Sequence, residues 1–285
     1  MDITNSPPCP HCEKARRKPH PTRKRGAYTA ADGTKRQRYE CTNPWCGRTF
    51  TEKWHPEDRG RRTDIDEMLF KMCCSGVTIR RMAKLLDVAV NTVRRRMTAL
   101  ARRAREAHLA AVLDPRRKTS NVQFDEMETF LRSRAQPLNI ALAVRRHDGA
   151  ILAAKVGTIP PKGRLAAKGR EMGWAVKATA RQARAEAIKE TGLFIRQGQP
   201  ATFICDGSTG YPGEIRSILG HDVIVESHPR DGSKPHDPMF RLNHTCAKIR
   251  ADLACMARDT WTTTKKVEGL QERLDIYVAW NNGYF

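Results

Sequence analysis

Apolar positions along the chain change their rhythm twice, and each change marks a new kind of structure. Up to residue 60 they follow no sustained period; an Asp32-Gly33 turn stands ahead of the strand-like Arg38-Tyr39-Glu40. From Ile65 the period becomes helical. Ile65, Leu69 and Met72 share a face, and Ser75-Gly76 ends that helix. Thr78 caps a second helix, Ile79 to Leu86, with Met82, Leu85 and Leu86 inward. A turn at Asp87-Val88-Ala89 leads to a third helix from Asn91 that runs on through Ala99 to Leu113. Pro115 to Ser120 then reads as a hinge.

Beyond the hinge the period shortens to that of strands. Asn121 to Leu131, Leu138 to Val144 and Ala150 to Val156 are three candidates, the last two joined by His147-Asp148-Gly149. Short links make them consecutive and antiparallel. Pro160 to Gly173 reads as a basic, glycine-bearing loop, and Val176, Ala180, Ala183 and Ala187 then line one helix face. A short buried strand, Phe203-Ile204-Cys205, stops at Asp206. A helix around Glu214 to Leu219, a strand from Val223 to Glu226, and helices Met239 to Ala257 and Val267 to Trp280 complete the chain. The expected organisation is multidomain: a small unit over 1–55, an all-α unit over 64–113, and a mixed α/β unit over 119–285.

Charge sharpens this division. The chain carries 52 Lys and Arg against 31 Asp and Glu, a net +21. The first 120 residues hold 28 basic and 13 acidic side chains, and the remainder 24 and 18. A polyanionic partner follows, with the amino-terminal part as its main handle. With no long apolar run and no signal peptide, the expectation is a soluble cytoplasmic protein without a membrane partner.

Of nine cysteines, four fall in two close pairs, Cys9-Pro-His-Cys12 and Cys41-Thr-Asn-Pro-Trp-Cys46. Each pair can sit on a tight turn that points two thiolates at one ion, which suits a structural zinc in a zinc ribbon. So small a segment has little core, and the metal would supply much of its stability. The alternative is four unliganded thiols. Adjacent Cys73 and Cys74 read as packing residues.

The all-α unit carries a capped helix, a short turn, and a helix opening on Asn91, Thr92, Arg94, Arg95 and Arg96. That is the helix-turn-helix pattern, with those five facing the major groove or its phosphates; the bland alternative is a helical hairpin with a solvated basic face. In the α/β unit Asp125 lies within the first strand and Asp206 ends the fourth. Two strand-borne carboxylates in so basic a chain suggest a divalent-metal site acting on a nucleic-acid phosphate. Arg241, Lys248, Arg250 and Arg258 lie on one helix and either touch DNA backbone or form a solvated face. Trp261 and the Thr262–Lys266 stretch read as a core residue beside a helix start, or as a phosphate site.

With these residues in view, the chain resembles the DDE transposases, most nearly those of the small bacterial insertion-sequence-one type. The resemblance covers nearly the whole length; Cys46-Gly47-Arg48-Thr49-Phe50 and Asp125-Glu126-Met127 are its most specific parts. It implies a ribonuclease-H-like catalytic domain in which Asp125 and Asp206 lie side by side and hold Mg²⁺ or Mn²⁺. It also implies cleavage at transposon ends, strand transfer into target double-stranded DNA, association with the nucleoid, and action as a homo-oligomer. The family places a glutamate on the last core helix, where this chain has Phe240. Asn243 or His244 then stand as candidates for the third position, and Asp237 as a helix cap or a ligand. A regulator that binds DNA through the first 118 residues and carries a catalytically impaired, transposase-derived domain is the alternative function.

Overall fold

The computed structural model describes residues 6–15, 20–29, 35–51, 62–174, 177–220, 222–229, 237–257 and 262–285. The Asp32-Gly33 turn, Val176, Arg258 and Trp261 lie outside the described residues. The chain divides into two compact units, Met1–Arg61 and Arg62–Phe285.

In the first unit a short helix α1 (Pro10–Lys14) precedes strands β1 (Thr22–Thr29), β2 (Lys35–Cys41) and β3 (Thr49–Thr51). They form one antiparallel sheet in the order β1-β2-β3. Its buried core is Cys9, Cys12, Tyr39, Cys41 and Phe50, with Tyr39 and Phe50 stacked 5.8 Å apart. Seven of the eight β1 residues are exposed. A core this thin does not offset the entropy of ordering its backbone.

The second unit begins with helices α2 (Asp66–Cys73), α3 (Ile79–Leu85) and α4 (Val90–Ala110). Thr78 caps α3, its side chain accepting from the Arg81 N–H at 3.3 Å. The α3–α4 turn is closed by Asp87 at φ 48°, a left-handed position that aspartate tolerates better than most residues. Met82 faces inward, but Leu85 is 61% exposed, against expectation. Leu85 is the last residue of the helix and points outward, while Leu86, just past its end, packs against the core.

Strands β4 (Asn121–Phe130), β5 (Pro137–Arg145) and β6 (Ile151–Thr158) are antiparallel, while β7 (Thr202–Asp206) and β8 (Ile224–His228) join in parallel. The sheet order is β6-β5-β4-β7-β8, which puts β4 at the centre. Between β6 and β7 lie α5 (Arg164–Glu171) and α6 (Ala180–Gly192); α7 (Gly210–Leu219) separates β7 from β8; α8 (Phe240–Asp252) and α9 (Val267–Asn282) follow. The stretch read as a loop over 160–173 thus contains α5. Gly163 and Gly173 bracket the helix rather than interrupt it, and Gly169 is buried within it.

Side-chain alternation splits the core across the sheet. Val122, Phe124, Phe203 and Cys205 face α6 and α7, packing with Ala187, Ile188, Tyr211 and Ile215. Met127, Ile140, Leu142 and Ile204 face the other way, into a cluster with α8, α9 and the helices α2–α4. Gly157 lets α6 start against the sheet, because a Cβ there would lie 2.5 Å from the Ala180 Cα. Helix α4 packs along α9 and contributes Val93, Met97, Leu100 and Ala104 to this core. The helical segment expected to stand apart is therefore part of the same compact unit as the sheet.

Two buried ion-pair clusters hold α4. Near its start Arg96, 3% exposed, grips Asp66 of α2 at 2.6 and 2.8 Å, and Arg103 adds a contact at 3.0 Å. Near its end Arg105 and His108 meet Glu190 of α6, which Lys155 of β6 also contacts at 2.7 Å. Arg96 is thus corrected from a groove-facing residue to a core one. Three residues after Val93 it falls on the helix face that packs inward.

Candidate active site

Parallel pairing of β4 with β7 aligns Phe124 with Cys205, so the next residues along, Asp125 and Asp206, end up side by side. Phe124 and Cys205 point toward α6 and α7. By alternation both aspartates point to the face that carries α8. β7 ends at Asp206, and beyond it β4 runs on without a neighbour on that side. Two carboxylates therefore share one open edge of a rigid sheet.

Each is fixed through a single oxygen. Asp125 Oδ1 accepts from the Glu126 N–H at 2.7 Å and from the Tyr211 hydroxyl at 3.3 Å. Asp206 Oδ1 accepts from the Ser208 N–H at 3.0 Å. Neither Oδ2 has a hydrogen-bond partner among the described residues, and neither carboxylate has an ion-pair partner there. Burial, with Asp206 close by, pushes the Asp125 carboxyl up to about 6. Two adjacent acids with no cation of their own, each with one oxygen open, fit a divalent metal by the chemistry of the donor set.

Around them stands a set of residues that periodicity does not reveal. Tyr211, from the first turn of α7, reaches round the open edge and also donates to Glu126 Oε2 at 3.2 Å. Burial and the neighbouring acids keep its phenol protonated, so it remains a donor. Glu126, on the opposite face from Asp125, pairs with Arg184 at 3.1 Å, and Arg184 pairs with Glu214 at 2.8 Å. Gln123, buried two residues before Asp125, accepts from the Leu242 N–H at 2.8 Å and donates to the Pro238 carbonyl. It ties the first turn of α8 to β4 and satisfies a helix-start N–H. A polar residue at an inward position of a buried strand was the one available signal for it.

The third position differs from the expectation. Asn243 donates to Asp237 Oδ2 at 2.7 Å, and Asp237 Oδ1 accepts from the Met239 N–H at 2.8 Å, a cap at the start of α8. His244 is exposed and stacked on Phe240, itself 57% exposed, with centroids 5.9 Å apart. Neither Asn243 nor His244 makes a hydrogen bond to Asp125 or Asp206. The α8 side chain that senses Asp125 is Cys246, whose thiol burial pushes up to about 11.

The other cluster is complete. Cys9, Cys12, Cys41 and Cys46 bring their sulfurs within 4.8 Å of one another, and among the described residues no other group of three or more ligands does so. Cys9 and Cys46 lie 3.8 Å apart, Cys12 and Cys41 3.7 Å. Four thiolates at ~2.3 Å from one zinc would stand roughly 3.8 Å apart, so the spacing suits that ion. The second knuckle is shaped by Asn43, whose carbonyl takes the N–H groups of Cys46 and Gly47, with Gly47 at φ 51°.

Of the residues expected to meet DNA, Asn91, Arg94 and Arg95 are exposed, Thr92 is half-buried and Arg96 is buried. Among the described residues no helix is long and apolar enough to cross a membrane.

No family model matches the sequence, and no curated protein matches it. Among solved structures the chain is similar to a Mos1 transposase catalytic domain with raltegravir and magnesium, at 11% identity over 65% of this chain and 86% of that one, with a TM-score of 0.29. It is also similar to the Mos1 strand transfer complex, at 14% identity over 73% and 74%, with a TM-score of 0.27. Likeness this low has no bearing on function.

Proposed function

We propose that this chain is a DNA transposase of the DDE type, which binds the ends of an insertion sequence and catalyses metal-dependent cleavage and strand transfer. The observation that carries the reading is the in-register pair Asp125 and Asp206 on adjacent parallel strands, facing one way at an open sheet edge. A central strand flanked by two antiparallel and two parallel neighbours is also the arrangement a ribonuclease-H-like core requires. The exposed start of α4, with Asn91, Arg94 and Arg95, supplies a duplex-binding face.

Asp125 and Asp206 would hold Mg²⁺ or Mn²⁺ through their open oxygens; the metal supplies activation of the attacking oxygen and charge neutralisation at the leaving one. The chain's own part is positioning. Tyr211 and the Glu126 and Ser208 N–H groups fix one oxygen of each carboxylate, so the other is presented without a rotameric search. Gln123 holds the start of α8 beside that edge. In the ribbon the four cysteines would hold a structural zinc.

The test is cleavage of labelled duplex carrying the gene's flanking inverted repeats, with Mg²⁺ or Mn²⁺. Cutting at the repeat ends should be abolished by Asp125→Ala and by Asp206→Ala; cutting that survives either change sinks the assignment. One observation favours a second reading, a DNA-binding regulator: α8 contains no glutamate, and an exposed phenylalanine opens it. Tight, salt-sensitive binding of the repeats with no cutting by the wild type would select it.

A further inference from the structure

Tyr211 has one hydroxyl proton and two acceptors for it. Its oxygen lies 3.3 Å from Asp125 Oδ1 and 3.2 Å from Glu126 Oε2. Both distances exceed the ~2.7–2.8 Å usual for an O–H···O bond, so the proton is shared rather than committed to either carboxylate. The two acceptors stand on opposite faces of β4, Asp125 toward α8 and Glu126 toward α6 and α7. The phenol, 3% exposed and packed edge-on against Phe124, reaches both from the open edge of the strand.

Glu126 has a second donor. Arg184 of α6 donates from Nη1 to the same Oε2 at 3.1 Å, and its Nε lies 2.8 Å from Glu214, one turn along α7 from Tyr211. Its guanidinium also sits 5.6 Å from the Tyr211 ring centroid. The Glu126 and Arg184 side chains are only 17% and 22% exposed, so water does little to satisfy either. Glu126 Oε1 is buried and accepts no hydrogen bond among the described residues. A carboxylate so placed takes the strongest donor within reach, and a charged donor outcompetes a neutral one. With Arg184 present, Oε2 is served by a cation and the phenol proton can turn to Asp125. Without it, Tyr211 is the one side-chain donor left to Glu126 among the described residues, and the proton turns away from the site.

We propose that Arg184 is a positioning residue for the metal site: by holding Glu126 it assigns the Tyr211 hydroxyl to Asp125, and so fixes which Asp125 oxygen is left open. The proposal rests on the reading of Asp125 and Asp206 as metal ligands, and adds a control exerted from the far side of the sheet. Arg184 makes no hydrogen bond or ion pair to either aspartate among the described residues; its influence there passes through one proton.

The test is Mn²⁺ titration calorimetry on the full chain, the relevant binding being the part of the isotherm that Asp206→Ala removes. Arg184→Met and Tyr211→Phe should each weaken that binding roughly tenfold, the size of effect usual for groups that orient metal ligands. The double variant Arg184→Met/Tyr211→Phe should bind no more weakly than Tyr211→Phe, because both changes act on the same proton. A role confined to packing predicts additive losses instead. Arg184→Met/Glu126→Gln should regain wild-type affinity, since an amide at 126 competes poorly for the phenol proton and leaves no unpaired carboxylate beside it. If Arg184→Met alone folds poorly, this second double variant decides. Additive losses, unchanged affinity in Arg184→Met, or failed rescue each overturn the proposal. A further readout needs no metal. In protein labelled with carbon-13 at tyrosine Cζ, the Tyr211 resonance, assigned by its absence from Tyr211→Phe, should move on Asp125→Asn in the wild type and stay in place in Arg184→Met. Movement in both backgrounds overturns the assignment of the hydroxyl. The two readings fail separately: an isotherm indifferent to Asp206→Ala removes the metal site, and the resonance then still decides whether Arg184 directs the proton.

Discussion

The four cysteines and the two aspartates are both candidate metal sites, yet they are built on opposite plans. The cysteines close around a point: three are buried, their sulfurs all lie within 4.8 Å of one another, and little else among the described residues of that unit is buried. The aspartates lie on a sheet whose two faces are each covered by an extensive apolar core, and their outward oxygens are open. In the ribbon the ligands take the place of a core. In the larger unit the core holds the ligands, and their set can stay incomplete without endangering the fold. A structural site has to be closed, whereas a site that acts on a substrate must leave room for it.

The largest expected effect follows from that contrast. Cys41→Ser, or a strong chelator, should unfold residues 20–51, since apparent zinc affinities of ~10 kcal/mol or more act as folding energy in such units. The wild type should bind one zinc per chain, and chelation should collapse the amide dispersion of the ribbon in an NMR spectrum. Cooperative unfolding of residues 62–285 should be unaffected. Ribbon signals that persist without metal would show that its thin core is sufficient, and the contrast would fail.

The larger unit should instead break at its buried ion pairs. Burial alone would raise the Glu190 carboxyl, but hydrogen bonds from His108 and Arg105 and the Lys155 charge more than offset it and hold it well below the usual range. Glu190→Gln leaves Arg105 and Lys155 facing a neutral amide and should cost about 3–5 kcal/mol near pH 7, read by urea denaturation. A depressed carboxylate contributes stability above its unfolded pKa of ~4.3 and loses it as pH falls toward the folded value. The gap between wild type and variant should therefore narrow below about pH 4.

Arg96→Met comes next, at about 3 kcal/mol, because Arg103 still partly compensates Asp66. Arg94→Ala and Arg95→Ala should change stability by less than about 0.5 kcal/mol. They should instead weaken duplex binding and lower its salt slope by about 0.9 each. An Arg96 variant that is stable but fails to bind DNA would return that residue to the groove.

The sequence carried the local features well. The cysteine pairs, the capped helix and turn, and the strand positions of Asp125 and Asp206 all depend on spacing within a few residues, and spacing is visible. What stayed hidden depends on distant partners. Arg96 sits among two other arginines, and only Asp66, thirty residues earlier, makes it a core residue. The packing of α4 along α9 joins segments more than 150 residues apart, which no hinge-like Pro115 to Ser120 could disclose. Tyr211 and Glu126 read as ordinary residues of a helix start and a strand until the sheet edge brings them to Asp125. Helix α5 was hidden differently, because glycines at its two ends resemble those of a loop.

The smallest effect on stability belongs to the residue that would most change the open site. Phe240 is 57% exposed at the first position of α8, stacked on His244 with the Arg241 guanidinium 5.9 Å from its ring, in the place where the resemblance to DDE transposases puts a glutamate. Phe240→Glu should shift the melting temperature by little, and a carboxylate in the first turn is favourable to the helix dipole by a few tenths of a kcal/mol. Gln123 already ties that turn to β4 beside Asp125, so a third carboxylate there should raise Mn²⁺ affinity by roughly tenfold, measured by titration calorimetry. Faster cutting in the same variant would mean that the wild-type site is held below its capacity by one side chain. Unchanged Mn²⁺ affinity would mean that the start of α8 lies out of reach of the two aspartates, and that Cys246 marks the part of the helix that faces them.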